Sequence, residues 1–239
     1  MKNLFKLSLL FLLVFGVSSC MFDGVKGNGN VITKKRKISD DFIRIKASRG
    51  LEVYITKSRN VSLEVEADEN LHELIETEVR DGTLVITSSR NIWEASAKKI
   101  HLSIDQINEI DVSSGAEIYS ENTFSSERLS LDLSSGSQVK MDLKVEELSC
   151  SSSSGAGAKL TGKAKHFTVS SSSGSDIKAY GLATRSCVAD VSSGANIKVH
   201  VTESIRASAS SGGNIKYKGN PEEVSKEDNS GGNVYSTDG

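Results

Sequence analysis

Few side chains in these 239 residues are of a type and spacing that could do chemistry. Imidazole is confined to His72, His101, His166 and His200, and none has a second His or Cys at the short spacing of a zinc site, so neither a metal nor a cofactor is expected. Serine is abundant, with 40 copies, and it stands before glycine at Ser114-Gly115, Ser135-Gly136, Ser154-Gly155, Ser173-Gly174, Ser193-Gly194, Ser211-Gly212 and Ser230-Gly231. A serine nucleophile needs a base and a group that orients it. A serine repeated at even intervals without either is structural, so no catalytic residue is assigned. Gly174-Ser175-Asp176 resembles a fragment of a calcium-binding repeat, but such repeats have a period of about nine with paired glycines, and the aspartate does not recur.

Two other chemistries fit. Lys2 and Lys6 precede an apolar run, Leu7 to Val17, too short to cross a hydrocarbon layer of ~30 Å as a helix, and the run ends in Val17-Ser18-Ser19-Cys20. This resembles a bacterial lipobox, which makes residues 1–19 a signal peptide and Cys20 the site of lipid attachment. Acyl chains there would hold the protein on a membrane without a spanning segment, each buried CH₂ adding about 0.8 kcal/mol. Removal of the leader takes away Lys2 and Lys6, leaving 27 basic against 31 acidic groups, a net charge of −4. No nucleic-acid partner is expected from that balance. Residues 20–37 are expected to be the lipidated cysteine and a tether, with Gly24 to Asn30 flexible. The outer membrane is the expected address, and because Met21-Phe22-Asp23-Gly24 carries no strong acidic run, both its periplasmic and its outer face stay open.

The elements that must position the remaining residues follow from the repeat. The glycines at 115, 136, 155, 174, 194, 212 and 231 are separated by 21, 19, 19, 20, 18 and 19 residues, and Gly50 marks an earlier copy. With the eight segments aligned on glycine, offsets −7, −5, −3, +3 and +5 hold hydrophobic residues in 33 of 40 places, whereas offsets −6, −4, +2 and +4 do so in 4 of 32. Alternation with period 2 on both sides of a fixed glycine is strand, corner, strand. Such a unit cannot bury one face alone, and stacking copies at ~4.8 Å gives a continuous interior. The predicted fold is therefore all-β, a parallel β-solenoid of 18–21 residues per coil spanning 38–236, with Gly50, Gly115, Gly136, Gly155, Gly174, Gly194, Gly212 and Gly231 at its corners, where positive φ costs glycine nothing. The preceding serine is expected to stack on its copies in neighbouring coils and to hydrogen-bond within the ladder or to the corner backbone. Small inward residues such as Ser152, Ser171, Ala189, Ala207 and Ala209 imply a thin section, in keeping with 5% aromatics. Cys150 and Cys187 fall at inward offsets two coils apart, about 9.6 Å against the ~7 Å limit for a disulfide, so two buried free thiols are predicted.

The gap between Gly50 and Gly115 is too long for one coil, and residues 56–107 are read as an insertion capping the N-terminal end. Val61 to Glu66 alternates as a strand. Asp68 is expected to cap a short helix with Leu71, Leu74, Ile75 and Val79 on one face, and Asp81-Gly82 to turn into the strand Thr83 to Thr87. At the other end Lys226 and Asp228 occupy inward offsets, so the last coil is expected to fray or form a polar cap. The segment ISDDFIRIKASRGLEVYIT at 38–56, the insertion, and the coils SSGANIK and SSGGNIK resemble the head GIN domain family of bacterial autotransporter-adhesin heads, formerly a domain of unknown function. The resemblance runs from about Asp41 to Ser225 and implies an exported β-solenoid or lipoprotein of a type common in Bacteroidetes, with no established activity.

The outward column at offset +4 reads Tyr54, Tyr119, Lys140, Lys159, Lys178, Lys198, Lys216 and Tyr235. Stacked coils would line up the five lysines Lys140, Lys159, Lys178, Lys198 and Lys216, either as a solvated face that keeps the solenoid soluble or as a stripe for a linear anionic polymer such as an acidic glycan. Three functions are therefore carried forward. They are a membrane-anchored envelope binding or adhesion module without catalysis, a carbohydrate-active β-helix enzyme, and an envelope scaffold or oligomerisation unit binding only protein. An enzyme of the second kind needs clustered acid and base beneath a long loop, and the nearly uniform coil length leaves little room for one.

Overall fold

The computed structural model describes residues 24–237; the expected signal peptide, residues 1–19, and the expected lipid-attachment residue Cys20 lie outside the described residues. The first strands are β1 (Gly24–Lys26), β2 (Val31–Arg36), β3 (Arg44–Ala47) and β4 (Glu52–Lys57). Next come β5 (Ser62–Asp68), β6 (Ile75–Arg80), β7 (Thr83–Ser88), β8 (Asn91–Glu94) and β9 (Lys98–Ile104). The remainder is β10 (Glu109–Val112), β11 (Glu117–Ser120), β12 (Phe124–Leu133), β13 (Gln138–Ser152), β14 (Gly157–Ser171), β15 (Asp176–Val191), β16 (Asn196–Ala209), β17 (Asn214–Lys218), β18 (Glu223–Asp228) and β19 (Asn233–Ser236). From β10 onward successive coils pair in parallel, giving the solenoid that the repeat predicts.

The glycine-aligned offsets are the structural register. Ile118, Val139, Ala158, Ile177, Ile197, Ile215 and Val234 face one another in neighbouring strands and are all buried. Offset +1, which the alternation count leaves out, is also inward and small, with Ala116, Ser137, Ala156, Ser175 and Ala195 buried. The two serines stay polar at no cost because Ser137 Oγ donates to the Val112 carbonyl (2.9 Å) and Ser175 Oγ meets the carbonyls of Ser152 (2.8 Å) and Ser172 (2.7 Å). Coils of unequal length absorb the difference away from the corner. Register shifts lie between Lys159 and Thr161 and between Ala179 and Ala183, where the Tyr180-Gly181-Leu182 stretch bulges. The corner and the first residues after it thereby keep strict alignment.

Each corner is a tight turn in which both central residues have positive φ: Ser154 at 51° and Gly155 at 71°, with the same pair of angles within a few degrees at the other Ser-Gly corners. Ala156 N–H donates to the Ser153 carbonyl (3.1 Å), closing the turn. Two left-handed central residues are the signature of a type I′ turn. The corner serines bond within the ladder, as expected, but through the backbone and not the hydroxyl. The side chains of Ser114, Ser135, Ser154, Ser173, Ser193 and Ser211 are exposed, and it is their backbone carbonyls that carry the ladder round the bend, each accepting from the glycine N–H of the coil before at 3.0–3.1 Å. Serine is used because a small polar residue tolerates the left-handed region that a branched one does not.

The insertion closes the N-terminal end by running backwards. The strands β7 and β9 stack in parallel on the outer side of β3 and β4, while β10 and β11 stack on the inner side, so the outermost coil is made of residues later in the chain than the coil it covers. Antiparallel strands then seal it: β6 pairs with β7, and β5 lies between β9 and β2. The helix expected after Asp68 is a single 3-10 turn, Glu69–Leu71, and Ile75–Arg80 is β6. Asp68 is fully buried and makes no side-chain cap to that turn. Its carboxylate instead accepts from the backbone N–H groups of Gly29 (2.5 Å), Ser96 (2.7 Å) and Ala97 (3.1 Å), which draws the chain away from a helical path.

The expected tether is also partly structured. Gly24–Lys26 pairs in parallel with Asn91–Glu94, and Val31–Arg36 pairs antiparallel with β5. Alternation was invisible there because β2 lies at the margin of the stack, with four of its six residues exposed. At the far end β18 is exposed throughout and β19 buries only Val234, as the charged inward offsets predict.

Candidate functional site

The five predicted lysines are brought together. Lys140, Lys159, Lys178, Lys198 and Lys216 are direct neighbours on β13, β14, β15, β16 and β17, the first three exposed and the last two half-buried. The bulges leave this column undisturbed because they begin after offset +4. Among the described residues, one of the five meets a carboxylate, Lys178 with Asp176 at 3.0 Å. Alongside, Asn196, Asn214 and Asn233 form a side-chain amide ladder, Asn214 Nδ2 donating to Asn196 Oδ1 (3.4 Å) and Asn233 Nδ2 to Asn214 Oδ1 (3.1 Å). That ladder is neutral and adds no counter-charge to the row beyond Asp176.

Aromatic rings close the row at both ends. Beyond Lys140 the column continues as Tyr119, Tyr54 and His101, stacked with centroids 5.1 Å (Tyr119 to Tyr54) and 5.3 Å (Tyr54 to His101) apart. Lys140 Nζ lies 5.1 Å from the Tyr119 centroid, and at the opposite end Lys216 Nζ lies 5.0 Å from that of Tyr235. Both distances are within the range of cation–π attraction. A hydrogen bond to Tyr235 holds the Lys216 ammonium above the usual lysine range, so it stays charged. Tyr119 donates to Glu117, which together with burial raises its phenol, and Tyr54, raised chiefly by burial, donates to Glu52 (3.1 Å). The aromatic ends were in the sequence column already, but their stacking with His101 was not legible, because His101 belongs to the coil that the insertion places out of order.

Across the corner the outward column at offset −4 has the opposite character. Asp111, Asp132, Ser151, Ser170, Asp190, Ser208 and Glu227 are neighbours in sequence of coils. Burial and the adjacent Asp111 raise the Asp132 carboxyl. A basic and a mainly acidic column thus stand on the two sides of one corner, the latter running on from Asp111 to Lys46.

The remaining candidates stay apart. No group of three or more His, Cys, Asp or Glu among the described residues could hold a metal ion. Cys150 and Cys187 are free and buried, as predicted, and burial pushes both thiols up to about 12. His166 is half the molecule away from His101 along the stack and bonds Ser186 Oγ (2.7 Å). Open depressions lie on the described surface, one of about 430 Å³ lined by Lys57, Gln106, Asn108 and Ser125 to Arg128, and one of about 480 Å³ whose lining includes His166, Glu147 and Ser149; there Glu147 is paired with Arg128 (2.9 Å) and His166 bonds Ser186.

A family model described as "Putative auto-transporter adhesin, head GIN domain" matches residues 41–221. The chain belongs to that family. No curated protein matches it. Among solved structures, a putative adhesin from Bacteroides fragilis superposes with a TM-score of 0.82 at 24% identity over 89% of this chain and 100% of that one. A putative lipid binding protein from Parabacteroides distasonis gives 0.70 at 22%, covering 89% and 99%, and a putative adhesin from the same species gives 0.72 at 21%, covering 90% and 100%. At these identities the likeness establishes the head GIN fold. The family points to a cell-surface or envelope protein, and neither its description nor those of these structures names an enzyme.

Proposed function

We propose that this head GIN protein is a non-catalytic binding module of the cell envelope, held on the outer membrane by lipid at Cys20 and binding a linear anionic polymer along its lysine column. The observation that carries the reading is the uninterrupted row Lys140 to Lys216 in strict register, with one carboxylate partner and an aromatic ring at each end. Five ammoniums at ~4.8 Å intervals span roughly 19 Å, the length of a few sugar residues rather than of a small molecule. Like charges so close repel unless a counter-charge runs beside them, and a flexible polyanion supplies one at each step. At one end of the row Tyr235, 39% exposed, leaves apolar ring surface against which a sugar could stack.

The test is retention on an immobilised acidic polysaccharide. Replacing Lys159, Lys178 and Lys198 together with Gln, which removes the charge but keeps the first two methylenes of each stem, should move elution to markedly lower salt. Retention of the wild-type chain should fade as the screening length drops below the lysine spacing, between physiological salt (about 8 Å) and 1 M (about 3 Å). Unchanged low-salt retention of the triple variant would refute the site.

A further inference from the structure

We propose that the β1–β8 ribbon is the membrane-contacting edge of the molecule, with Trp93 seated in the interfacial layer of the bilayer. The inference rests on the reading of Cys20 as the lipid anchor.

Trp93 is the chain's only tryptophan, and it is 63% exposed, more than any other large apolar side chain described. It stands at an irregularity in the pairing of β1 with β8: Val25 faces Ile92 and Lys26 faces Glu94, so Trp93 is the extra residue of a bulge. A bulge re-aims one side chain out of the strand's alternation. Here Ile92 points into the core, 7% exposed, and Trp93 points away from it. The ring lies over Gly24, where a Cβ would come within 2.9 Å of its Cδ1 atom. Lys26 Nζ sits 5.6 Å from the ring centroid and 2.8 Å from Glu94 Oε2. An indole edged by a lysine is the pairing that favours the boundary between headgroups and acyl chains, the ring in the apolar margin and the ammonium among phosphates.

The chain fixes where that boundary is. Three residues separate Cys20 from Gly24. Four extended residue steps reach at most about 14 Å, and the headgroup layer is itself several ångströms deep on each side. An acylated Cys20 therefore cannot carry β1 out of reach of the interface, and Trp93 touches β1. Had residues 24–36 been a loose linker, as their composition suggested, the domain could stand well clear of the membrane. Because Gly24–Lys26 is paired into the fold, the anchor is short and the ribbon is held down. The outermost strand at the same end, β2, presents exposed Lys34, and Lys37 follows it, both suited to anionic headgroups, while Lys35 beside them lies 3.5 Å from Glu64.

The experiment uses the mature protein extracted from membranes and reconstituted into vesicles of phosphatidylethanolamine and phosphatidylglycerol. Trp93 is the sole indole, so its emission reports this edge without substitution. Nitroxide labels near the headgroup should remove most of its emission, labels at the acyl terminus should remove little, and the spectrum should shift to the blue of that of the acyl-free protein. Mass spectrometry of the same sample reads the anchor. An acylated Cys20 with Trp93 unquenched, or shielded only as protein concentration rises, would overturn the seat while leaving the anchor in place. An unmodified Cys20 would overturn the anchor, and the seat with it. Lys26→Glu in the acylated protein should weaken the shallow quenching.

Discussion

Asp68 shows how one residue can be misread from sequence and still decide the local fold. An aspartate followed by Leu71, Leu74 and Ile75 carries the pattern of a helix start, but three backbone N–H groups from distant segments outbid the cap. Burial works to raise its carboxyl, and the bonds from Ala97, Gly29 and Ser96 more than offset it, holding it below the ordinary range. The unfolded chain therefore takes up a proton more readily than the folded one. Stability from this group is full above the ordinary carboxylate range and is lost as pH falls through the depressed folded value. Asp68→Asn should cost about 2–3 kcal/mol, since charge-assisted bonds to buried donors are replaced by weaker ones, and should flatten the acid limb of the stability curve measured by urea titration. The two core cysteines invite a second measurement. With both thiols pushed up to about 12 and buried, Cys150 and Cys187 should resist alkylation at pH 8 until urea unfolds the chain, and then react together.

The coil was legible because its physics is local and repeated. Inward and outward offsets, the corner glycines, the lysine column and the distance between the cysteines all follow from period 2 on a period near 19, and Val139 to Val234 show the same register in space. The corner itself was half legible. Glycine signals positive φ, but that Ser154 shares it, and that its carbonyl rather than its hydroxyl bonds, depends on a turn type that the pair Ser-Gly does not specify. Asn adopts the left-handed region more readily than Ser, so Ser154→Asn should raise stability by up to about 1 kcal/mol, read as a higher melting temperature by circular dichroism. The insertion was legible in its purpose but not its path. Nothing in Thr83 to Ile104 says that these strands stack outside β3 and β4 instead of after them, because either side of a parallel coil satisfies the same alternation.

At the scale of the molecule each coil touches chiefly the coils beside it, so stability is close to a sum over neighbours. Deleting Ala156 to Gly174, one full period, should leave a folded, shorter solenoid with four lysines in its column, detectable as a retained β spectrum and a monodisperse particle by light scattering. Deleting the insertion through β9, residues 58–104, should instead expose β3 and β4 as open edges and yield aggregates by the same measurement. The contrast separates the parts that can be subtracted from the part that cannot.

The reversed N-terminal coil also constrains descent. A duplication of coils can be accepted anywhere from β10 to β19, where one corner is interchangeable with the next, but not beyond β7 and β9, where antiparallel strands have already consumed the free edge. Lineages can therefore lengthen or shorten this protein only on one side of its cap, in increments of one strand spacing. Whatever the lysine column measures out, evolution can adjust it one rung at a time without disturbing the cap.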